Sequence, residues 1–249
     1  MLLRSITKHV KDQNWFAVGL DFFIVVAGIL IAFQITNWNE GRSNAIEERA
    51  LLQQLSIEFE QIEAGAKDSI DFQKNTIAGL TTIAATLDAG QLDENDRALF
   101  EQGLLYGYTL YTSSDRSTVL GEIISSGKSS LLKNKDLLRE LMRYDAYLNE
   151  FASAEDIIAE QQTAFLPNFT SSFTYDLEKT VLIGGSSFKV SAIGTYDFDT
   201  MVKDRAFRNA VYELRETHIM YTNWRRRIIE RNQKIRHLID AEMATKGAK

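Results

Sequence analysis

The chain has 249 residues, 45% of them hydrophobic and 25% charged, which suits one membrane segment plus one globular unit of about 200 residues rather than a disordered or multi-spanning protein. Its formal net charge of -6 excludes a general nucleic-acid binder, because neutralising phosphates needs a basic surface. There is no cysteine, which removes disulfides, thiolate metal sites and cysteine nucleophiles, and a single proline favours long unbroken helices.

In residues 1–14, Leu3, Ile6 and Val10 share one helical face while Arg4, Lys8 and Lys11 lie elsewhere, the pattern of a short amphipathic segment on the cytoplasmic leaflet. Residues 15–39 form the expected transmembrane helix. No charge falls between Phe22 and Asn39, and Phe22 to Phe33 is apolar throughout. Trp15 and Trp38 flank the run as interfacial anchors, about 34 Å apart on a helix rising 1.5 Å per residue. A buried core helix or a signal peptide gives a similar pattern, but no small-x-small cleavage site lies within the seven residues that follow the apolar run. Three cations before the segment against Arg42 and Arg49 after it predict an N-terminus in the cytoplasm and residues 40–249 in the periplasm. Asp21, Gly28 and Ala32 share one face, and Gly28-x-x-x-Ala32 would let a second membrane helix approach closely. An intramembrane carboxylate such as Asp21 is a functional candidate by default, although it lies close enough to Trp15 to stay solvated at the headgroups.

No Pro- or Gly-rich linker follows. Leu52, Leu55, Phe59, Ile62 and Ala66, then Ile70, Ile77, Leu80, Ile83 and Leu87, keep a three-four apolar step, so the membrane helix is expected to run on as one rod to Asp88-Ala-Gly90, with Gly65 and Gly79 as places to bend. Asp93 opens a second helix through about Tyr111, carrying Leu99, Phe100, Leu104 and Tyr108. Ser114 or Asp115 caps a third, which Gly127 ends in a left-handed C-cap. A fourth runs from about Lys135 to Phe165, closed by Pro167. Between 168 and 199 the period changes, giving a small β-hairpin or irregular insertion. The last helix, about Asp204 to Met243 and about 60 Å long, puts Phe207, Val211, Leu214, His218, Tyr221, Ile228, Ile235 and Ile239 on one stripe. The fold class is therefore mainly α: a transmembrane helix continuing into an antiparallel helical bundle. Arg225, Arg226, Arg227, Arg231, Lys234 and Arg236 on the last helix would lie level with Glu47, Glu48 and Glu58. They are open to two roles: headgroup or partner contact, above all for Arg225, Arg226, Arg227 and Arg231, or mutual neutralisation with those acids.

Motifs that would announce an enzyme are near misses. Gly121 to Ser129 spells G-x-x-x-x-x-G-K-S, one residue too long for a phosphate loop and preceded by a helix. Ser125-Ser-Gly-Lys128 matches S-x-x-K without its partner motifs, and Ser5-Ile-Thr-Lys8 matches equally well. His9, His218 and His237 form no close-spaced ligand set, and Asp88 to Asp96 lacks calcium-loop spacing. Tyr106, Tyr108 and Tyr111 suit either a bundle core or the lining of an apolar pocket. No cofactor, metal or catalytic residue is expected.

The stretch from Trp15 to Glu40, whose apolar helix ends in Gln34-x-x-Asn37-Trp38-Asn39-Glu40, resembles the opening of a widespread family of uncharacterised bacterial single-pass inner-membrane proteins, and Glu122 to Lys135 resembles a second block of the same group. The two cover about a sixth of the chain. The resemblance implies a bacterial envelope location and carries over no catalytic residue. The function expected is that of a membrane-anchored envelope protein acting by protein-protein contact as scaffold, accessory subunit or assembly factor. Its partners would be membrane lipid and another membrane protein or a homo-oligomer. The alternative is a periplasmic bundle that senses a ligand or lipid and relays to a partner, since about 14 residues on the cytoplasmic side are too few for an output domain.

Overall fold

The computed structural model describes residues 15–111, 114–182 and 189–247. Among them are six α-helices and one two-stranded antiparallel sheet, so the protein is mainly α with a β-hairpin insertion. By internal contacts the chain divides into Met1–Leu51 and Leu52–Lys249.

Helix α1, Trp15–Ala89, is continuous from the apolar segment through Gly65 and Gly79. It stops at Gly90, whose φ of +69° is the left-handed conformation that glycine adopts at little cost. In residues 1–51, Leu20, Phe22 to Val25, Ile29 to Ile31, Phe33, Ile35 and Trp38 all stand exposed. One helix among the described residues is long and apolar enough to cross a membrane, and it is this one. The amphipathic segment expected at 1–14 lies outside the described residues.

Residues 52–249 build their own core. Helix α2 is Glu94–Tyr106, α3 Thr118–Ser125, α4 Lys135–Thr170, α5 Phe198–Lys203 and α6 Arg205–Gly247; strands β1 and β2 are Phe173–Leu182 and Lys189–Tyr196. Within this unit α6 runs antiparallel to α1, because rising numbers on one meet falling numbers on the other. Glu63 bonds Arg236 at 3.0 Å, Gln73 meets His218, Thr81 bonds Arg215 at 2.9 Å and Asp88 meets Arg208. Helix α4 is antiparallel to α6 by the same test, through Asn134 with Glu242 (3.2 Å), Glu140 with Lys234 (3.0 Å) and Tyr147 with Trp224 (ring centroids 5.9 Å). The stripe from Phe207 to Ile239 is buried as its spacing predicts. One core cluster joins Leu80, Ile83 and Leu87 of α1 to Phe100 and Leu104 of α2, Phe169 of α4 and Phe207, Val211 and Leu214 of α6.

Several boundaries differ from expectation. Helix α2 ends at Tyr106, not near Tyr111, because two carbonyls of the following turn are taken by side chains: Gly107 O by His218 (2.8 Å) and Tyr111 O by the Ser69 hydroxyl (2.8 Å). Ser117, rather than Ser114 or Asp115, caps α3, its Oγ accepting the Leu120 N–H at 2.9 Å. The end of α3 is as expected, with Gly127 at φ +72°. Helix α4 does not stop at Pro167 but continues to Thr170. Pro167 sits in the last turn, where its carbonyl still accepts the Ser171 N–H at 3.1 Å, and the extra turn carries Phe169 into the core against Phe207 and Phe173. The short α5 was not expected; Asp197 caps it by accepting the Thr200 N–H at 3.1 Å. Asp204 caps α6, accepting from Ala206 at 2.8 Å.

The strands pair with Phe173 opposite Tyr196, Tyr175 opposite Ile193 and Leu182 opposite Lys189. The register breaks between Asp176 and Thr180, where Ala192 and Ser191 are neighbours on β2, so residues 177–179 bulge out of the ladder. Residues 183–188, between the two strands, lie outside the described residues.

Candidate functional site

Three places hold the residues that the sequence singles out. The first is the apolar segment. The side chains of Trp15 and Asp21 lie outside the described residues, while Trp38 is 68% exposed. Gly28 is open on its packing face, since a Cβ there would meet nothing within 4 Å. By length and composition this segment is able to cross a membrane.

The second is a buried polar centre between α4, α6 and the connection ahead of α3. Arg225 is 1% exposed and forms an ion pair with Asp115; its Nη2 donates to the Tyr221 hydroxyl at 2.6 Å and lies 3.7 Å from Glu155. The guanidinium also sits over the rings of Tyr221 and Phe151, at 4.9 and 5.3 Å from their centroids. Tyr221 in turn donates to Glu155 at 2.6 Å, and Tyr144 donates to the Asp115 carbonyl at 2.8 Å. The structure thus places Arg225 inside the unit, where no headgroup reaches it. Of its expected companions, Arg231 lies over the Tyr147 ring at 4.6 Å, Arg226 donates to Asn223 at 3.3 Å, and Arg226 and Arg227 are exposed. The neutralisation expected of the basic run is present in part, with different partners. Arg236 bonds Glu63 at 3.0 Å and Lys234 bonds Glu140 at 3.0 Å. Glu58 does not meet the arginines; it accepts from Ser117, Thr118 and Val119 at the start of α3. Burial pulls the Glu58 carboxyl up, yet those hydrogen bonds hold it below the usual carboxylate range. Burial likewise opposes ionisation of Glu63, but hydrogen bonds from Lys67, Gln233 and Arg236 outweigh it and bring the carboxyl down to about 2.

His218 is fully buried, with Nε2 2.8 Å from the Gly107 carbonyl and Nδ1 against the Gln73 amide. Burial lowers its pKa to about 4, against the raising effect of the Gly107 carbonyl, so the ring is neutral and has one N–H to give. That proton goes to Gly107. A Gln73 amide turned so that its nitrogen donates to Nδ1 then satisfies both groups, including the Gln73 Nε2 that is otherwise buried without a partner. A folded pKa below the unfolded value of about 6.5 means that only the unfolded chain takes up a proton as the pH falls from about 6.5 to about 4. Stability is therefore expected to fall by up to about 3 kcal/mol across that window and level off below it. His218→Gln should flatten the slope in urea titrations at stepped pH. An unchanged slope would refute this account of the ring.

The third place flanks Tyr106 on α2. Its hydroxyl donates to the Leu182 carbonyl at 2.9 Å and its ring meets Phe72 at 5.8 Å, fastening the hairpin to the helices. On one side a cavity of about 440 Å³ is lined by Tyr108, Tyr175, Leu177, Lys189 and Val190; on the other, one of about 400 Å³ is lined by Glu101, Val181, Leu182 and Ile193. Tyr108 and Tyr175 share a hydrogen bond of 3.1 Å, and burial followed by that contact pushes the Tyr175 hydroxyl up. Of the three tyrosines of the sequence, Tyr106 is core and wall together and Tyr108 lines a cavity, but Tyr111 packs on Phe72 at 5.5 Å. What sequence reasoning missed is the hairpin's share, because Tyr175 and Lys189 meet Tyr108 only through a pairing with no local signature.

The near-miss phosphate loop is a helix end: Gly121 lies inside α3, and Lys128 pairs with Glu122 at 3.2 Å. No group of three or more metal-ligating side chains occurs among the described residues. Set against protein-family models, curated proteins and solved structures, the chain matches none.

Proposed function

We propose that this protein is anchored by residues 15–39 in a bacterial inner membrane, N-terminus in the cytoplasm, and that residues 52–249 act in the periplasm by protein-protein contact, without catalysis, as a scaffold, accessory subunit or assembly factor. The observation that carries this is the pairing of a largely exposed apolar segment with a unit in which the charged and histidine side chains described above are engaged in structural contacts. Arg225 and Asp115 neutralise each other, His218 closes the end of α2, Glu58 caps α3 and Glu63 ties α1 to α6. Such groups are not poised for proton transfer or nucleophilic attack. The likeness of Trp15–Glu40 and Glu122–Lys135 to the bacterial membrane family supports the same envelope location. Within the membrane, the open Gly28-x-x-x-Ala32 face, with Asp21 about two turns before Gly28, is the contact offered to a second helix.

The test is topological. Alkaline phosphatase fused after Lys249 is expected to be active, and a fluorescent protein that matures only in the cytosol to stay dark. The reverse pattern, or a chain released from membranes by carbonate, sinks the proposal.

The alternative, a ligand- or lipid-sensing bundle, draws on the two cavities beside Tyr106. Native mass spectrometry of the protein released from detergent distinguishes the two: a stoichiometric small molecule lost on Tyr106→Ala favours sensing.

A further inference from the structure

The connection between α2 and α3 is held in the unit largely by polar contacts. Its described residues are 107–111 and 114–117; of these only Gly107, Asp115 and Ser117 are buried, and none of the three has an apolar side chain. Three helices grip it. From α6, His218 Nε2 lies 2.8 Å from the Gly107 carbonyl and Arg225 pairs with Asp115. From α1 the Ser69 hydroxyl donates to the Tyr111 carbonyl at 2.8 Å, and from α4 Tyr144 donates to the Asp115 carbonyl at 2.8 Å. At the far end Glu58 of α1 accepts from Ser117, from Thr118 and from the Val119 N–H (3.1 Å). The surface beneath is polar to match: α1 buries Ser69, Gln73 and Thr76 there, and α6 buries His218, Thr222 and Arg225. Water can replace the connection along such a seam, the apolar contacts given up being those of half-buried Tyr108, Leu110 and Tyr111. The packing of Leu80, Ile83 and Leu87 on Phe207, Val211 and Leu214 does not involve it at all. Letting go of the connection therefore costs less than parting the helices.

Three of its anchors change charge in acid, and all in the same sense. Around His218, α1 presents Gln73, the connection presents Gly107, and α6 presents the Thr222 hydroxyl, which donates to the His218 carbonyl at 2.8 Å. Among the described residues no charged side chain acts on the ring, so a proton there is a buried charge that contact with water relieves. A proton on Asp115 takes from Arg225 its closest counter-charge and leaves Glu155 of α4 at 3.7 Å. A proton on Glu58, whose carboxyl burial raises but hydrogen bonds hold below the usual range, weakens the grip on the start of α3. Each anchor is intact at neutral pH and weakens as the pH falls, His218 from about 6.5 toward about 4 and Glu58 below about 4.5.

We propose that the connection between α2 and α3 is an acid-released strap: protonation at His218, Asp115 and Glu58 frees it from the polar seam, and with it Tyr108 and Thr109, which wall the cavity of about 440 Å³, while α1 and α6 stay paired. This does not depend on the protein acting by contact. Amide hydrogen exchange read by mass spectrometry tests it on the full chain in detergent, with rates corrected for the intrinsic effect of pH. The Thr109, Val119 and Leu120 amides, which donate to Tyr106, Glu58 and Ser117, report on the strap; amides of residues 80–87 and 207–214 report on the helices. Between pH 6.5 and pH 4 protection of the strap is expected to fall by up to about 300-fold, the ratio that follows when His218 regains an ordinary pKa in the open form. The fall should be indifferent to low urea, because little surface is exposed, and at pH 4 the helix amides should stay about tenfold or more better protected. His218→Gln should abolish most of the fall. Glu58→Gln should lower protection about tenfold already at pH 6.5, at Thr109 as well as at Val119, because the strap leaves as one piece. Strap and helix amides exchanging together with one urea dependence overturn the proposal, since unfolding of the whole unit then accounts for both. So does a fall unchanged by His218→Gln, or a Glu58→Gln effect confined to Val119 and Leu120. If circular dichroism shows that His218→Gln does not assemble, the urea comparison and Glu58→Gln decide the matter.

Discussion

Replacing Asp115 with alanine is expected to destabilise the helical unit by about 3–5 kcal/mol, among the largest single effects in the protein, although the residue lies in an irregular connection. The cost falls on Arg225. Its guanidinium is 1% exposed and is held by the Asp115 carboxylate, the Tyr221 hydroxyl at 2.6 Å and two aromatic faces. Deleting the carboxylate strands a buried positive charge short of its main counter-charge; Glu155, 3.7 Å away and about a third exposed, compensates weakly. Arg225→Ala leaves the mirror-image deficit at Asp115 and a cavity between Phe151 and Tyr221. The apolar pair Asp115→Leu with Arg225→Met should recover most of either loss, because it removes both charges together. Urea unfolding of the full chain in detergent, followed through Trp224, which packs on Tyr147 and Phe151, supplies the double-mutant cycle. A coupling near zero would mean that the pair is a bystander.

That pair also marks the limit of what the sequence discloses. The long helices are legible because burial repeats every three to four residues: the stripe from Phe207 to Ile239 is buried as spaced, and so is the run from Leu52 to Leu87 apart from half-buried Ile77, beside which Gln73 and Thr76 are buried instead. Glycines at α1 and α3 ends and the changed period before Asp199 located the breaks and the hairpin. Arg225 was misjudged for a physical reason. Next to Arg226 and Arg227 it looks like one of a solvated run, but a helix turns 100° per residue, so adjacent arginines point to different environments and only one of the three faces the core. The end of α2 was overrun because its stop is tertiary: the Gly107 carbonyl is claimed by His218, 111 residues away. Pro167 does not end α4: its missing N–H costs the one bond to the Thr163 carbonyl, while its own carbonyl still accepts the Ser171 N–H and the extra turn buries Phe169. The cavities beside Tyr106 depend on strand pairing across a bulge, which alternation alone does not encode.

Gly103→Ala and Gly121→Ala are expected to move stability in opposite directions, though both exchange glycine for the best helix former inside a helix. On propensity alone each gains about 1 kcal/mol. At Gly121 nothing lies within 4 Å of the new Cβ, so that gain should be realised. At Gly103 the Cβ would sit 2.6 Å from the Gly79 carbonyl carbon and 2.7 Å from its oxygen, and a Cβ at Gly79 would sit 2.7 Å from the Gly103 Cα. These are backbone atoms of α1, so no rotamer change relieves the contact; α1 and α2 must separate. Separation disturbs Ile83, Phe100 and Leu104, which share the cluster holding α4 and α6. Overpacking of this kind costs about 1–3 kcal/mol for a flexible neighbour and more against rigid backbone, which exceeds the propensity gain and sets the sign. Gly103→Val should prevent stable assembly of the unit, and pairing it with any change at Gly79 should not rescue it, since glycine there is already the smallest residue available. Thermal unfolding by circular dichroism checks all three. A higher midpoint for Gly103→Ala would mean that the two helices are not in backbone contact at this crossing.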